Sequence, residues 1–298
     1  MEKDISASVS SGWQIESLFK QAFIRTKERF LTYFLILFIT FFSTLVVLFG
    51  GALLTGIVFL IYSLTKLTVL VFFLGVVVLV IFVISVIYIA SWGQLAINES
   101  LIHDPKLGSI ETIKKVRPLV WGYFRYTILL ILFSFGLSIY GFLSLGVVWI
   151  VWGVWGVFGV FVYLKQKRKG LDNLWVSKQM VSQRFWGILG RLALVYGVVW
   201  FIQLSFSFNE NNSLRLISTV ISFIAGPFII AYIYEIYKNL SVPDKVKRPM
   251  IWIILSIIGG ILLVIGLFFA MSAIMSSNLL PTLLQQMLNK PVYPTLFL

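Results

Sequence analysis

Long runs of apolar residues alternate with short polar segments along this chain, and their spacing sets the expected architecture. No charged residue occurs between Arg29 and Lys66, or from Tyr126 to Leu164. A helix crosses the hydrocarbon core of a bilayer with about 20 apolar residues. On that scale the pattern predicts seven spans. The first begins near Phe30, with Gly50-Gly51 marking a bend or close packing, and the second runs from about Leu67 to Ile97. The uncharged run from Tyr126 is too long for one crossing. It divides into a third span starting near Leu119, with Arg125 snorkelling to the headgroups, and a fourth ending at Leu164, joined by a tight turn near Gly141. The fifth covers about Ile188 to Phe208 and is closed by the polar run Asn209 to Asn212; the sixth covers Leu216 to Tyr237 and the seventh Met250 to Ala270. Barrel strands would instead show weak alternation over about ten residues. The expected fold is all-α, a polytopic transmembrane helical bundle.

The charges then orient it. Of 24 Lys and Arg residues, 21 fall in the N-terminal arm and in the second, fourth and sixth loops; Lys66, Arg215 and Lys290 lie on the other side. Cations concentrate on the cytoplasmic side of membrane proteins. This predicts a multi-pass protein of the plasma (inner) membrane, with its N-terminus cytoplasmic and its C-terminus outside. The net charge of +13 could also indicate nucleic acid. That partner is excluded, because most cations flank apolar spans, where they meet anionic phospholipids of the bilayer.

Three of the cation-bearing segments share a design. Ile15, Leu18, Phe19, Ala22 and Phe23 recur at helical spacing, as do Ile110, Ile113 and Val116, and more loosely Leu171, Leu174, Trp175 and Met180. Each segment follows a glycine, Gly12, Gly108 or Gly170, and leads into an aromatic-rich start of a span. An amphipathic helix of this kind buries its stripe in the acyl boundary and keeps its cations among the headgroups. Three inner-face amphipathic interfacial helices are therefore expected over 13–28, 109–117 and 171–184. The predicted organisation is an N-terminal cytoplasmic arm over 1–29, a six-span membrane domain of three helix-plus-hairpin units over 30–240, and a seventh span with an outside tail over 241–298. In that tail Leu280, Leu283, Leu284, Met287 and Leu288 give a short amphipathic helix opened by Pro281.

The stretches GWQIESLFKQAFIRTKERFLTYFLI, GSIETIKKVRPLVWGYF, GLDNLWVSKQMVSQRFWGILGRLAL and GPFIIAYIYEIYKNL, with the spans between them, resemble the membrane domain of bacterial glycerophosphodiester phosphodiesterases and related stand-alone membrane proteins of unassigned function. The resemblance covers roughly residues 10 to 240. In the complete enzymes the chemistry belongs to a separate soluble barrel, for which this chain has no room. The resemblance therefore implies a membrane module and no phosphodiesterase activity.

Composition narrows the chemistry further. The chain has no cysteine and a single histidine, His103, so thiolate nucleophiles, disulfides and multi-histidine metal sites are excluded. No phosphate-binding glycine loop, zinc helix motif or nucleophile elbow occurs. No cofactor and no metal are expected. The first 29 residues lack the apolar core of a cleavable signal, so the first span is expected to direct insertion.

Few residues remain as candidates. Glu235 is the acid nearest a membrane interior, where carboxylates are costly and often functional. It also lies three residues before Lys238, at ion-pair spacing. Gly226-Pro227, in the same span, is either a packing kink or a helix break of the kind transporters use at substrate sites. Trp149, Trp152 and Trp155 interleave with Gly153, Gly156 and Gly159, as a packing and interfacial strip or as a substrate-facing one. Lys165, Lys167, Arg168 and Lys169 serve topology and are also the expected anionic-lipid contact. His103-Asp104 reads as a solvated loop, and Asn98-Glu99 caps its helix or pairs with a loop cation. The function expected from these features is a non-enzymatic integral membrane protein, an accessory or scaffold module of the bacterial envelope. The alternative is a small transporter or lipid-handling protein, which a midplane cavity would favour.

Overall fold

The computed structural model describes residues 14–103, 106–207, 212–243 and 245–276. These residues form α1 (Ile15–Thr65), α2 (Thr68–Ile102), α3 (Ser109–Leu143), α4 (Val147–Gly156), α5 (Gly159–Gln166), α6 (Asp172–Ser182), α7 (Phe185–Ser207), α8 (Asn212–Lys238) and α9 (Met250–Ser276). No strand occurs among them. Among the described residues five helices are long and apolar enough to cross a membrane: α1, Phe73–Ile102 of α2, α3, the α4–α5 pair Val147–Gln166, and Phe185–Ser205 of α7. Met250–Gly266 of α9 adds a shorter apolar stretch. The chain is a helical membrane bundle. The tail helix over Leu280–Leu288, the run Asn209 to Asn211, Asp104 and the arm before Gln14 lie outside the described residues.

The fold divides into two compact units. The first comprises the described parts of residues 1–130 and 150–248, and the second those of 131–149 and 249–298.

In the first unit α1 and α2 form a hairpin that turns at Lys66, which sits in the left-handed region (φ 58°) and closes α1 by donating its N–H to the Tyr62 carbonyl. Phe41, Val46, Phe49, Leu53 and Phe59 of α1, with Phe73, Leu79 and Ile84 of α2, are exposed. Lipid tails are as apolar as these side chains, so nothing drives them together. The packed core lies toward the cation-bearing end instead. There Leu18, Ala22 and Ile36 of α1 are buried, as are Leu95, Leu101 and Ile102 of α2, Phe158 and Phe161, and Tyr232 and Ile236 of α8.

The three expected interfacial helices take a different form. Residues 15–28 are the first part of a continuous 51-residue α1, about 76 Å long at 1.5 Å per residue. No glycine or proline occurs between Ile15 and Phe49 to interrupt it. Its stripe of Leu18, Ala22 and Thr26 is buried in protein. Residues 109–117 likewise continue through Pro118 into α3. The carbonyl that Pro118 leaves without a helical donor belongs to exposed Lys114, where solvent can take it. Only the third segment is a separate helix, and it is buried on most sides: Asn173, Leu174, Trp175, Val176, Ser177 and Met180 are at most 1% exposed. Its Lys178 ammonium lies 4.4 Å from the centre of the Trp155 ring. Burial holds the Lys178 pKa below the ordinary lysine range.

In the second unit α3 runs past Gly141 to Leu143, and the turn falls at Ser144–Gly146. Gly146 adopts φ 88° and its N–H bonds the Gly141 carbonyl at 2.8 Å. Gly141 itself provides the surface on which the Trp149 indole lies. Gly136 and Gly259 let α3 and α9 touch through their backbones; a Cβ on either would collide with a carbonyl of the other helix. Ser256 Oγ donates to the Phe133 carbonyl at 3.0 Å across the same contact. Small residues of this kind are what membrane helices use to approach closely.

Candidate functional site

Gly156 and Gly159 bracket the residues where the predicted fourth span breaks. Glycine weakens a helix interior, and Val157 and Phe158 fall between α4 and α5. The break leaves backbone groups without helical partners, which inside a membrane cost several kcal/mol each unless paired. Ser177 of buried α6 supplies both partners: its Oγ accepts from the Phe158 N–H at 3.2 Å and donates to the Trp155 carbonyl.

Beside this break lies a partly open cavity of about 830 Å³ within the first unit. Its walls come from α1 (Leu37, Thr40, Phe41, Thr44), α2 (Ala90, Gly93, Gln94, Ile97, Asn98), α3 (Tyr123, Tyr126, Thr127, Leu130), the α4–α5 pair (Trp152, Gly153, Gly156, Val157, Val160, Phe161), α7 (Tyr196) and α8 (Ile230, Ile233). The lining is mostly apolar, with hydroxyls and amides spaced along it and, among the described residues, no carboxylate, imidazole, ammonium or guanidinium. Ligand sites of about 300–1,000 Å³ with a few placed polar groups have this character.

Most of the lining hydroxyls are already committed. Thr40, Thr44 and Thr127 donate to carbonyls four residues back in their own helices at 2.8, 2.9 and 3.0 Å. Tyr123 Oη donates to Gln94 Oε1 at 3.0 Å, and Asn98 Nδ2 donates to the Gln94 carbonyl at 2.7 Å. That leaves the Gln94 amide N–H₂, the Asn98 carbonyl oxygen and the Tyr126 and Tyr196 hydroxyls to address an occupant. A Cβ at Gly153 or Gly156 would meet nothing within 4 Å. The two glycines thus widen the cavity and are not needed there for close helix packing.

At the cation-bearing end a polar cluster fastens α1, α2 and α8. Arg25 Nη1 donates to the Leu101 carbonyl at 3.0 Å, and Arg29 Nη1 donates to the carbonyls of Ser100 and His103. The two guanidiniums thereby serve the open carbonyls at the C-terminus of α2, where the helix dipole favours positive charge. Glu235, 1% exposed, pairs with Arg25 at 3.0 Å and with Lys238 at 2.5 Å. Glu99, also buried, pairs with Lys115 at 2.7 Å, and His103 stands beside both.

The structure places the sequence candidates as follows. Glu235 belongs to this fastening cluster and does not line the cavity. Pro227 is buried inside an unbroken α8, and a Cβ on Gly226 would press on the Tyr33 hydroxyl at 3.1 Å. The helix break lies instead between α4 and α5. Of the tryptophan strip, Trp152 lines the cavity, Trp155 carries Lys178 on its ring, and Trp149 belongs to the other unit. Lys165, Lys167, Arg168 and Lys169 do not act as one patch. Lys165 and Arg168 line a concavity with Lys238, whereas Lys167 lines another with Glu99 and Lys115, a wall Lys165 also reaches. Gln94, Tyr123 and Tyr126 escape sequence reasoning because they lie scattered in long apolar runs, and Asn98, read there as a helix cap, lines the cavity instead; the GVFG segment was the available signal for the break.

No family model, curated protein or solved structure matches the chain.

Proposed function

We propose that this is a lipid-handling membrane protein, which holds an amphiphile in the cavity beside the α4–α5 break. The carrying observation is the cavity of about 830 Å³, apolar over most of its surface and set with uncharged hydrogen-bonding groups. Such a wall suits acyl chains together with ester or hydroxyl groups. Among the described residues it offers no acid–base pair for hydrolysis, so the proposed role is binding or transfer and not catalysis. The irregular backbone at Val157–Phe158 supports the reading, because broken helices in membranes are tolerated where they line a cavity or are buried in protein.

In this reading the protein is a multi-pass component of the bacterial plasma membrane with a cytoplasmic N-terminus and an outside C-terminus. The support is the split of 21 cations against 3 and the gathering of Arg25, Arg29, Lys115 and Lys238 at one end of the bundle. The likeness to phosphodiesterase membrane domains fits a module that meets lipid while any chemistry happens elsewhere. Native mass spectrometry of the purified full chain tests the function: a retained lipid or other amphiphile is expected, and a bare protein under conditions that preserve its fold contradicts it.

A further inference from the structure

Lys165, Arg168 and Lys238 line one concavity of about 720 Å³ together with Gln166, Tyr234 and Tyr237. Among the described residues no carboxylate lines it. We propose that this concavity binds an unshielded phosphate group; the inference rests on the lipid-handling reading and names the headgroup class that such a protein selects.

The charge arrangement carries the proposal. The Arg25 guanidinium and the Lys165 and Lys238 ammonium groups all lie within 6 Å of the Tyr234 ring centre, at 5.1, 5.9 and 5.7 Å. Glu235 serves Arg25 and Lys238. Among the described residues no carboxylate lies within salt-bridge distance of Lys165 or Arg168. The Tyr234 ring holds like charges together through cation–π attraction, and an anion in the concavity offsets their repulsion. The Arg168 Nε–H donates to Gln166 Oε1 at 2.5 Å. This fixes the plane of the guanidinium and leaves its two terminal nitrogens for the paired oxygens of a phosphate, the recognition geometry that suits arginine.

The concavity is separated from the main cavity by packed aromatic rings. Phe161 lines the main cavity and its ring centre lies 5.5 and 5.6 Å from those of Tyr234 and Tyr237, which line the basic concavity. A phosphate held by Lys165 and Arg168 thus sits beside the aromatic wall of an apolar chamber, an arrangement suited to an anionic amphiphile. The same chemistry would also take a soluble phosphate ester.

The test uses purified full-length protein and measures binding of phosphatidylglycerol against phosphatidylcholine. The wild type is expected to prefer phosphatidylglycerol. Lys165→Gln with Arg168→Gln should reduce that affinity roughly thirtyfold, the combined strength of two cations near an anionic lipid surface, and leave phosphatidylcholine binding unchanged. Lys167→Gln with Lys169→Gln removes the same charge beside the concavity and should leave the preference intact. Inorganic phosphate separates the two sources: displacement of phosphatidylglycerol at millimolar phosphate indicates a site for soluble phosphates, and resistance indicates a lipid headgroup. Equal loss in both double variants overturns the site in favour of diffuse surface attraction. A wild type that binds both lipids equally overturns the headgroup inference and leaves the cavity reading standing; one that binds neither overturns both.

Discussion

Arg25 Nε lies 3.0 Å from Glu235 Oε1, joining α1 to α8 across 210 positions of sequence. The spacing of Glu235 and Lys238 foretells a local pair, and an exposed pair of that kind contributes only about 0–1 kcal/mol. The structure instead buries the carboxylate and adds a second cation from a distant helix, with Arg25 also bonded to the end of α2.

Glu235→Gln should therefore destabilise the protein by about 3 kcal/mol, because it leaves the Arg25 guanidinium without its counter-charge in a mostly buried setting. Thermal unfolding in detergent reads this directly. The double variant with Arg25→Gln should lose less than the sum of the two single losses. A shift near zero in Glu235→Gln would return the pair to the status of a solvated surface contact.

Ser177→Ala should cost about 2 kcal/mol by leaving the Phe158 N–H and the Trp155 carbonyl unpaired. Ser182→Ala is the control, since its exposed hydroxyl only returns to the Lys178 carbonyl in the same helix. Equal stability of the two variants would mean that α6 does not brace the break.

Much of the fold is legible in the sequence because bilayer thickness imposes a length on apolar runs. Lys66 sits at the predicted first turn, and α7, α8 and α9 fall where the fifth, sixth and seventh spans were expected. What eludes the pattern is the partner of each amphipathic stripe. Leu18, Ala22 and Leu174 have the same spacing whether they face acyl chains or protein, and here they face protein. The site is less legible still. Glu235 draws attention as a carboxylate in an apolar run, yet it fastens helices. The cavity draws its mostly apolar lining from six well-separated stretches of chain, five of which add a Thr, Gln, Asn, Tyr or Gly, and no local spacing links them. The turn near Gly141 lies three to five residues further on because the glycine there serves packing, whereas Gly146 supplies the positive φ.

Gly259→Leu should destabilise the second unit by about 1–3 kcal/mol, the range for forcing extra carbon into a tight contact. Gly266→Leu in the same helix should be tolerated, since a Cβ there meets nothing within 4 Å. Comparing their unfolding midpoints checks that α3 and α9 touch at Gly136 and Gly259; equal midpoints would place the contact elsewhere.

If an amphiphile occupies the cavity, Gly153→Leu with Gly156→Leu should displace it. Both positions line the cavity and neither Cβ meets a neighbour, so the new side chains fill ligand space with little strain on the fold. The measurement is the amount of lipid co-purifying with each protein, read by native mass spectrometry alongside the unfolding midpoint. A bound lipid is expected on the wild type, with a variant that melts at or above the wild-type temperature but carries at least tenfold less. Equal lipid on both proteins would contradict occupancy of the cavity.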